Sequence, residues 1–283
     1  MHRAVDYAYN REKGGERMKI AIVTGASSGL GMAFVRRLDA LGGLDEIWGV
    51  ARRGERLEAL AAELRTPMRP LALDLTRLES VETLRVLMRE EAPEVAVLVN
   101  AAGFGKFGTC AELTLQETCG MIDLNCRAAA ALTAAVLPYM GRGSRVLEIC
   151  SSAAFQPLPG FNVYAATKAF LLRYSRALRW EEAPRGIRVT AVCPGWIRTD
   201  FMDVARDTKN GRTVRSFPFA QRPETVARRA LRNSRLLAVT TCGLPALVQR
   251  VASKFLPHCF IMACWDSIPS SFFVSFSTAR SSS

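Results

Sequence analysis

Tyr164 and Lys168 stand four positions apart in the run N-V-Y-A-A-T-K, a spacing that puts both side chains on one face of a helix. A free tyrosine titrates at about 10. A neighbouring ammonium favours the tyrosinate and lowers that value, which makes the phenol usable as acid and base near neutral pH. Ser151 precedes Tyr164 by 13 positions, at the C-terminal end of the apolar run Arg145 to Cys150. A hydroxyl there can donate a hydrogen bond to a substrate oxygen. Tyr/Lys pairs are common on exposed helices, so this pair gains meaning only together with the strand-end serine and a feature near the start of the chain.

That feature is the turn T-G-A-S-S-G-L-G, Thr24 to Gly31. It joins a buried strand to a helix, so its backbone N–H groups and the helix dipole can hold a pyrophosphate. Gly25, Gly29 and Gly31 stand where a Cβ would obstruct the phosphate or the helix–strand contact. Ser27, Ser28 and Leu30 fill the positions between. The second strand ends at Ala51 and is followed by Arg52 and Arg53, at the place where an NAD site carries an Asp or Glu on the ribose. Two guanidinium groups there suit the extra phosphate of NADP, and NAD(H) becomes the lesser alternative.

Positioning these groups requires alternating strands and helices, and the pattern supplies them. Apolar runs predict strands at Lys19 to Thr24, Glu46 to Ala51, Arg69 to Leu73, Val95 to Val99, Arg145 to Cys150 and Ile187 to Cys193, with a last strand over Arg235 to Thr240. Helical periodicity covers the turn to about Leu41, Glu55 to Leu64, Leu78 to Glu91, Leu115 to Met140 (interrupted near its end by Pro138), Tyr164 to Glu182, a helix from Pro223, and Leu244 to Leu256. Repeated β-α units predict an α/β fold: a single Rossmann-like domain with a doubly wound parallel sheet and a C-terminal helical extension. Gly195 to Arg222 reads as a long lid-like loop. The domain is expected over residues 18–256, with a tail from 257 to 283 whose end, from Ser267, is rich in Ser and Phe and shows no clear period.

With these residues in place, the chain resembles the short-chain dehydrogenase/reductase family from about Met18 to at least Leu256. T-G-A-S-S-G-L-G resembles the family's cofactor turn, and Asp74 with Leu75 in L-D-L-T is similar to the segment that contacts the adenine end. Asn100-Ala101-Ala102-Gly103 resembles N-N-A-G, with Ala101 a mild departure. Asn125 in D-L-N matches an asparagine that helps hold a water linked to the active-site lysine. Ser151, Tyr164 and Lys168 fill the S…Y-x-x-x-K positions. A gapless match begins from Ser151 and leaves Ser152 as a structural neighbour. Pro194-Gly195 followed by Thr199 is like the segment that packs near the nicotinamide. The resemblance implies NADP(H)-dependent interconversion of a carbonyl and a secondary alcohol. Tyr164 would exchange the proton, Lys168 would hold the ribose and lower the Tyr164 pKa, Ser151 would polarise the carbonyl, and Asn125 would complete a proton relay. It also implies a dimer or tetramer formed through the helix from Leu115 and the one after Tyr164.

Other features bound the reading. The 283 residues carry a formal charge of +12, with basic residues spread along the chain rather than gathered as in a nucleic-acid module. Eight cysteines form no C-x-x-C pair and only His2 and His258 are present, which argues against a metal site and for a reducing, cytoplasmic setting. No run reaches about 18 uninterrupted apolar residues, so no membrane span is expected. Phe104, Phe107, Phe155, Trp196 and Phe201 flank the expected site and either line an apolar pocket or pack the core. An aromatic, aliphatic or steroid-like carbonyl suits such a pocket, and a 3-oxoacyl thioester is the alternative substrate. A dinucleotide-binding sensor without turnover is the rival from another class, but it has no need of Ser151, Tyr164, Lys168 and Asn125 together. Lys13-Gly14-Gly15-Glu16 reads as a translated purine-rich ribosome-binding sequence. The expectation is a bacterial source, initiation at Met18, and Met1 to Arg17 as an extension outside the fold.

Overall fold

The computed structural model describes residues 17–206, 212–214, 219–267 and 273–275. Seven parallel strands form one sheet in the order β3-β2-β1-β4-β5-β6-β8. They are β1 (Lys19–Thr24), β2 (Glu46–Ala51), β3 (Met68–Ala72), β4 (Glu94–Asn100), β5 (Arg145–Ile149), β6 (Arg188–Pro194) and β8 (Val239–Cys242). A short strand β7 (Arg212–Val214) pairs antiparallel with β9 (Phe273–Ser275). The strand order reverses between β1 and β4, and this reversal opens a crevice at the C-terminal ends of the strands.

The unbroken apolar runs in β1 and β4 follow from burial on both faces. In β1, Ile20 and Ile22 enter a core with Trp48, Leu84, Leu132 and Leu178. Ala21 and Val23 enter the opposite core with Phe34, Leu38, Leu57 and Leu231. The helices divide accordingly. α1 (Gly29–Leu41), α2 (Gly54–Glu63) and α8 (Pro223–Asn233) cover the second face. α3 (Leu78–Glu91), the 115–139 helical run and α6 (Asn162–Glu181) cover the first.

The single helix expected over Leu115 to Met140 is a composite. α4 (Leu115–Ile122) opens with a capping box between Thr114 and Glu117. It passes into a π-helical turn (Asp123–Ala128) and then α5 (Ala129–Val136), and ends in a 3₁₀ turn holding Pro138. Proline's missing N–H explains the tightened end, whereas the π turn carries no comparable sequence signal. Among the described residues, Leu115–Tyr139 is the one helical stretch long and apolar enough to cross a membrane. Its apolarity is explained by Met121, Leu132 and Val136, which are fully buried in the fold.

Two further readings change. The loop from Gly195 contains a short helix, α7 (Phe201–Arg206). After α9 (Leu244–Phe255), the expected tail begins with another helix, α10 (His258–Asp266). The extension proposed before Met18 lies outside the described residues except for Arg17, as does most of the chain beyond Ser267.

Candidate active site

A cavity of about 590 Å³ lies at the C-terminal ends of the strands. Ser151, Tyr164 and Lys168 line it together with Gly25, Ser27, Ser28, Gly29, Leu30, Gly31, Arg52, Arg53, Asp74, Leu75, Ala101, Gly103, Pro194, Gly195 and Thr199.

β1 delivers the glycine turn. Gly25 has φ +68, and a Cβ there would meet the Ala102 nitrogen at 3.0 Å. At Gly31 the obstacle is backbone: a Cβ would come within 2.2 Å of the Gly25 carbonyl oxygen. Only glycine lets α1 begin this close to the turn. Ser28 makes no side-chain cap and the first turn of α1 holds no acidic residue, so its N-terminal N–H groups keep their positive character. Arg53 lies over the turn, donating to Ser28 Oγ at 2.8 Å and to Ser27 Oγ at 3.3 Å. These features fit a dinucleotide carrying phosphates on both sides of the turn. Asp74 is poised at the far side. Burial alone would raise its carboxyl pKa, but bonds from the Thr76 N–H and hydroxyl, with Arg52 and Arg77 nearby, outweigh burial and lower it.

At the other end, Ser151 follows β5 and opens the 3₁₀ turn Ser152–Phe155, accepting from the Ala153 N–H at 3.1 Å. Its hydroxyl lies close enough to the Tyr164 phenol to favour the phenolate. Ser152 also lines the cavity, but of the two serines only Ser151 acts on the Tyr164 phenol. Tyr164 sits in the first turn of α6, stacked on Phe161 at 4.4 Å, with Phe201 at 5.5 Å. Burial pushes the phenol above its ordinary range; the neighbouring Ser151 hydroxyl opposes this, and the nearby Cys150 and Cys193 thiols add to it. The expected lowering of Tyr164 by Lys168 is therefore overridden by desolvation. Lys168 reaches beneath the tyrosine, with Nζ 5.6 Å from its ring centroid, and donates to the Ile149 carbonyl at 2.8 Å. Burial pushes the ammonium down as well.

Three expected residues do not line the cavity. Thr24 ties β1 to the end of β4: its hydroxyl accepts from the Ala102 N–H at 2.9 Å and points back to the Val99 carbonyl. Asn100 turns away from any cofactor. Its Nδ2 donates to Thr133 Oγ1 and Glu148 Oε1, both at 2.8 Å. Asn125, inside the π turn, clamps Phe104 by accepting from its N–H at 3.0 Å and donating to its carbonyl at 2.8 Å, and it also donates to Thr167. Its side chain shapes the loop after β4.

Of the aromatic residues flanking the site, Phe104, Trp196 and Phe201 line the cavity. Phe107 instead stacks behind Phe161 at 4.3 Å, and Phe155 packs beside Cys150 and Leu171. Sequence reasoning missed Leu158, Phe161 and Met202, and it missed Trp265 of α10, which donates to the Pro159 carbonyl at 3.0 Å. It also missed Glu148, fully buried in the middle of β5, whose carboxyl pKa burial lifts to about 7 against bonds from Asn100 and Thr133. An acid inside the apolar run V-L-E-I-C was the available signal.

Residues 19–210 match the profile of the short chain dehydrogenase family. Serine 3-dehydrogenase of Agrobacterium fabrum is 36% identical over 183 residues, covering 64% of this chain and 72% of that protein. The 3-oxoacyl-(acyl-carrier-protein) reductase FabG of Haemophilus influenzae is 31% identical over 202 residues, 71% of this chain and 83% of that one. Among solved structures, a short-chain dehydrogenase from Sphingobium yanoikuyae in complex with NADPH superposes with a TM-score of 0.71 at 28% identity. The match covers 93% of this chain and 98% of the other.

Proposed function

The chain belongs to the short-chain dehydrogenase family, and we propose that it is an NADP(H)-dependent reductase of an apolar carbonyl compound, acting through Tyr164, Ser151 and Lys168. The observation that carries this reading is the joining, in one cavity, of a buried phenol beside a strand-end serine with a glycine turn overlaid by Arg53. When bound, the nicotinamide supplies or accepts the hydride. The chain's own groups then manage oxygen, proton and position. Ser151 donates to the carbonyl oxygen and polarises it. Tyr164, held protonated by burial, delivers its proton to that oxygen. Lys168 is anchored by Ile149 and places positive charge beneath the phenol as it becomes anionic. Arg52 and Arg53 hold the phosphate that distinguishes NADP(H) from NAD(H), supported by the NADPH complex of the Sphingobium protein. Asn125 acts as a positioning residue, keeping Phe104 in the wall.

Phe104, Phe161, Trp196, Phe201 and Trp265 give the substrate side an aromatic lining, which favours a bulky aromatic or aliphatic carbonyl. The likeness to FabG supports a 3-oxoacyl thioester as a second substrate reading with the same chemistry. The relatives named above are bacterial, and Cys150 and Cys193, buried in one cluster, are free thiols, which supports a bacterial cytoplasm. A homo-oligomer formed through the 115–139 run and α6 is supported by Leu115, Phe170 and Trp180, all exposed on those helices. The test is NADPH consumption with a panel of ketones, aldehydes and 3-oxoacyl thioesters, with the alcohol product quantified. One alcohol per NADPH consumed is expected. Tight NADPH binding without turnover across the panel would favour a sensor.

A further inference from the structure

Strand β5 carries a carboxyl in the middle of an apolar run. Glu148 is fully buried and pairs across the sheet with Asn100 of β4. Its Oε1 accepts from Asn100 Nδ2 at 2.8 Å and from Thr133 Oγ1 of α5 at 2.9 Å. Its Oε2 is buried as well and takes no hydrogen bond from any described residue, and the same holds for Asn100 Oδ1. A buried carboxyl bonded through one oxygen alone costs stability, so packing does not account for it. The next residue on the strand shows what it serves: the Ile149 carbonyl is the acceptor that holds Lys168 Nζ, at 2.8 Å.

Lys168 is itself only 4% exposed, and a carbonyl dipole is a weak partner for a buried ammonium. Glu148 is faced by Asn100 from β4, by Thr133 from α5, by Cys150 from its own strand, and by Lys168 and Tyr174 from α6. Of these groups Lys168 alone is cationic, and Glu148 is the one carboxyl that acts on Lys168. Opposite charges in one dry interior each favour the charged form of the other. We propose that Glu148 is a positioning residue for the reaction: its carboxylate is the counter-charge that keeps the Lys168 ammonium charged beneath Tyr164. Resting on the reading of Tyr164 and Lys168 given above, this role ties proton delivery to a side chain that does not line the cavity. Burial lifts the Glu148 carboxyl to about 7, so the counter-charge is absent in acid and present above neutrality. Carbonyl reduction should therefore quicken as the pH rises through that value, until Lys168 loses its proton.

The first experiment needs no substrate. Denaturant titrations of the full chain across acid and neutral pH compare the wild type, Glu148→Gln, Lys168→Met and the double variant. The Glu148 midpoint is read from wild type against Glu148→Gln, and again from Lys168→Met against the double variant. It should lie at least about one pH unit higher where Lys168 is replaced. The same midpoint in both backgrounds would overturn the proposal, whatever carbonyl the enzyme takes. A shifted midpoint in a protein that turns over no carbonyl would count against the functional reading and leave the pairing standing. The second experiment is the pH profile of NADPH-dependent turnover. Gln keeps an acceptor for Asn100 and Thr133, so Glu148→Gln should melt no lower than the wild type. Its turnover should fall about ten-fold at about pH 8 yet stay within about three-fold at about pH 5.5, with NADPH affinity unaltered. A loss of equal size at every pH would mark a structural role and overturn the proposal. Thr133→Val offers a second variant that retains the carboxyl and removes one bond to it. Its rising limb should move up by about half a pH unit or more, and an unmoved limb would also overturn the proposal.

Discussion

At Tyr164, burial and hydrogen bonding pull in opposite directions, and burial wins. Lys168 adds less than its spacing promises because it is itself desolvated and spends one N–H on Ile149. A phenol held protonated in this way suits the proposed role of proton donor in the reduction of a carbonyl. Arg52 and Arg53 were legible from type and position alone, since guanidinium groups replace the acid expected for NAD. Replacing both with Ala should raise the KM for NADPH by about ten-fold or more, and that for NADH by no more than about three-fold, in steady-state kinetics. Equal effects would contradict the assignment. Glu148 gives a different kind of test. Its folded pKa of about 7 lies above the ordinary value of 4.5. Its contribution to stability is thus complete below about pH 4.5 and lost as pH rises through about 7. Relative to Glu148→Gln, the wild type should lose on the order of 3 kcal/mol between about pH 4 and pH 8 in denaturant titrations. Parallel pH curves would show that the carboxyl does not titrate in this range.

The elements differ in how openly the chain announces them. The glycine turn, the apolar strands and Leu78–Glu91 were readable because local sterics and periodicity determine them. The π turn at Asp123–Ala128 was not, since one extra residue per turn leaves the composition of the helix unchanged. Within that turn the Asn125 side chain clamps Phe104, a contact that no short-range pattern announces. Helix α10 was missed for another reason: it is held by long-range contacts, among them the bond from Trp265 to Pro159, which no short-range pattern encodes. Trp265→Ala should leave NADPH affinity unaltered while raising the KM of a bulky carbonyl several-fold to about ten-fold. Unchanged kinetics across the substrate panel would remove α10 from the site.

For the whole molecule, the order of the seven strands explains why residues from Gly25 to Trp265 meet at all. The reversal between β1 and β4 separates the helices onto two faces and leaves one crevice at the strand ends. That topology was inferable from the alternation of strands and helices, but the aromatic wall was not. It is assembled from β4, α6, α7 and α10, segments distant in the chain. Exposed Leu115, Phe170 and Trp180 lead us to expect a dimer or tetramer, and a monomer in light scattering at micromolar concentration would count against it. The central claim, that this crevice reduces a carbonyl with Tyr164 as proton donor, is tested most directly by comparing the wild type with Tyr164→Phe. NADPH-dependent turnover of the best carbonyl in the panel would be followed beside NADPH binding. The account predicts that turnover falls at least about a hundred-fold while NADPH affinity stays within about three-fold, because only the transferable proton is removed. A Phe variant that turns over at close to the wild-type rate would contradict it.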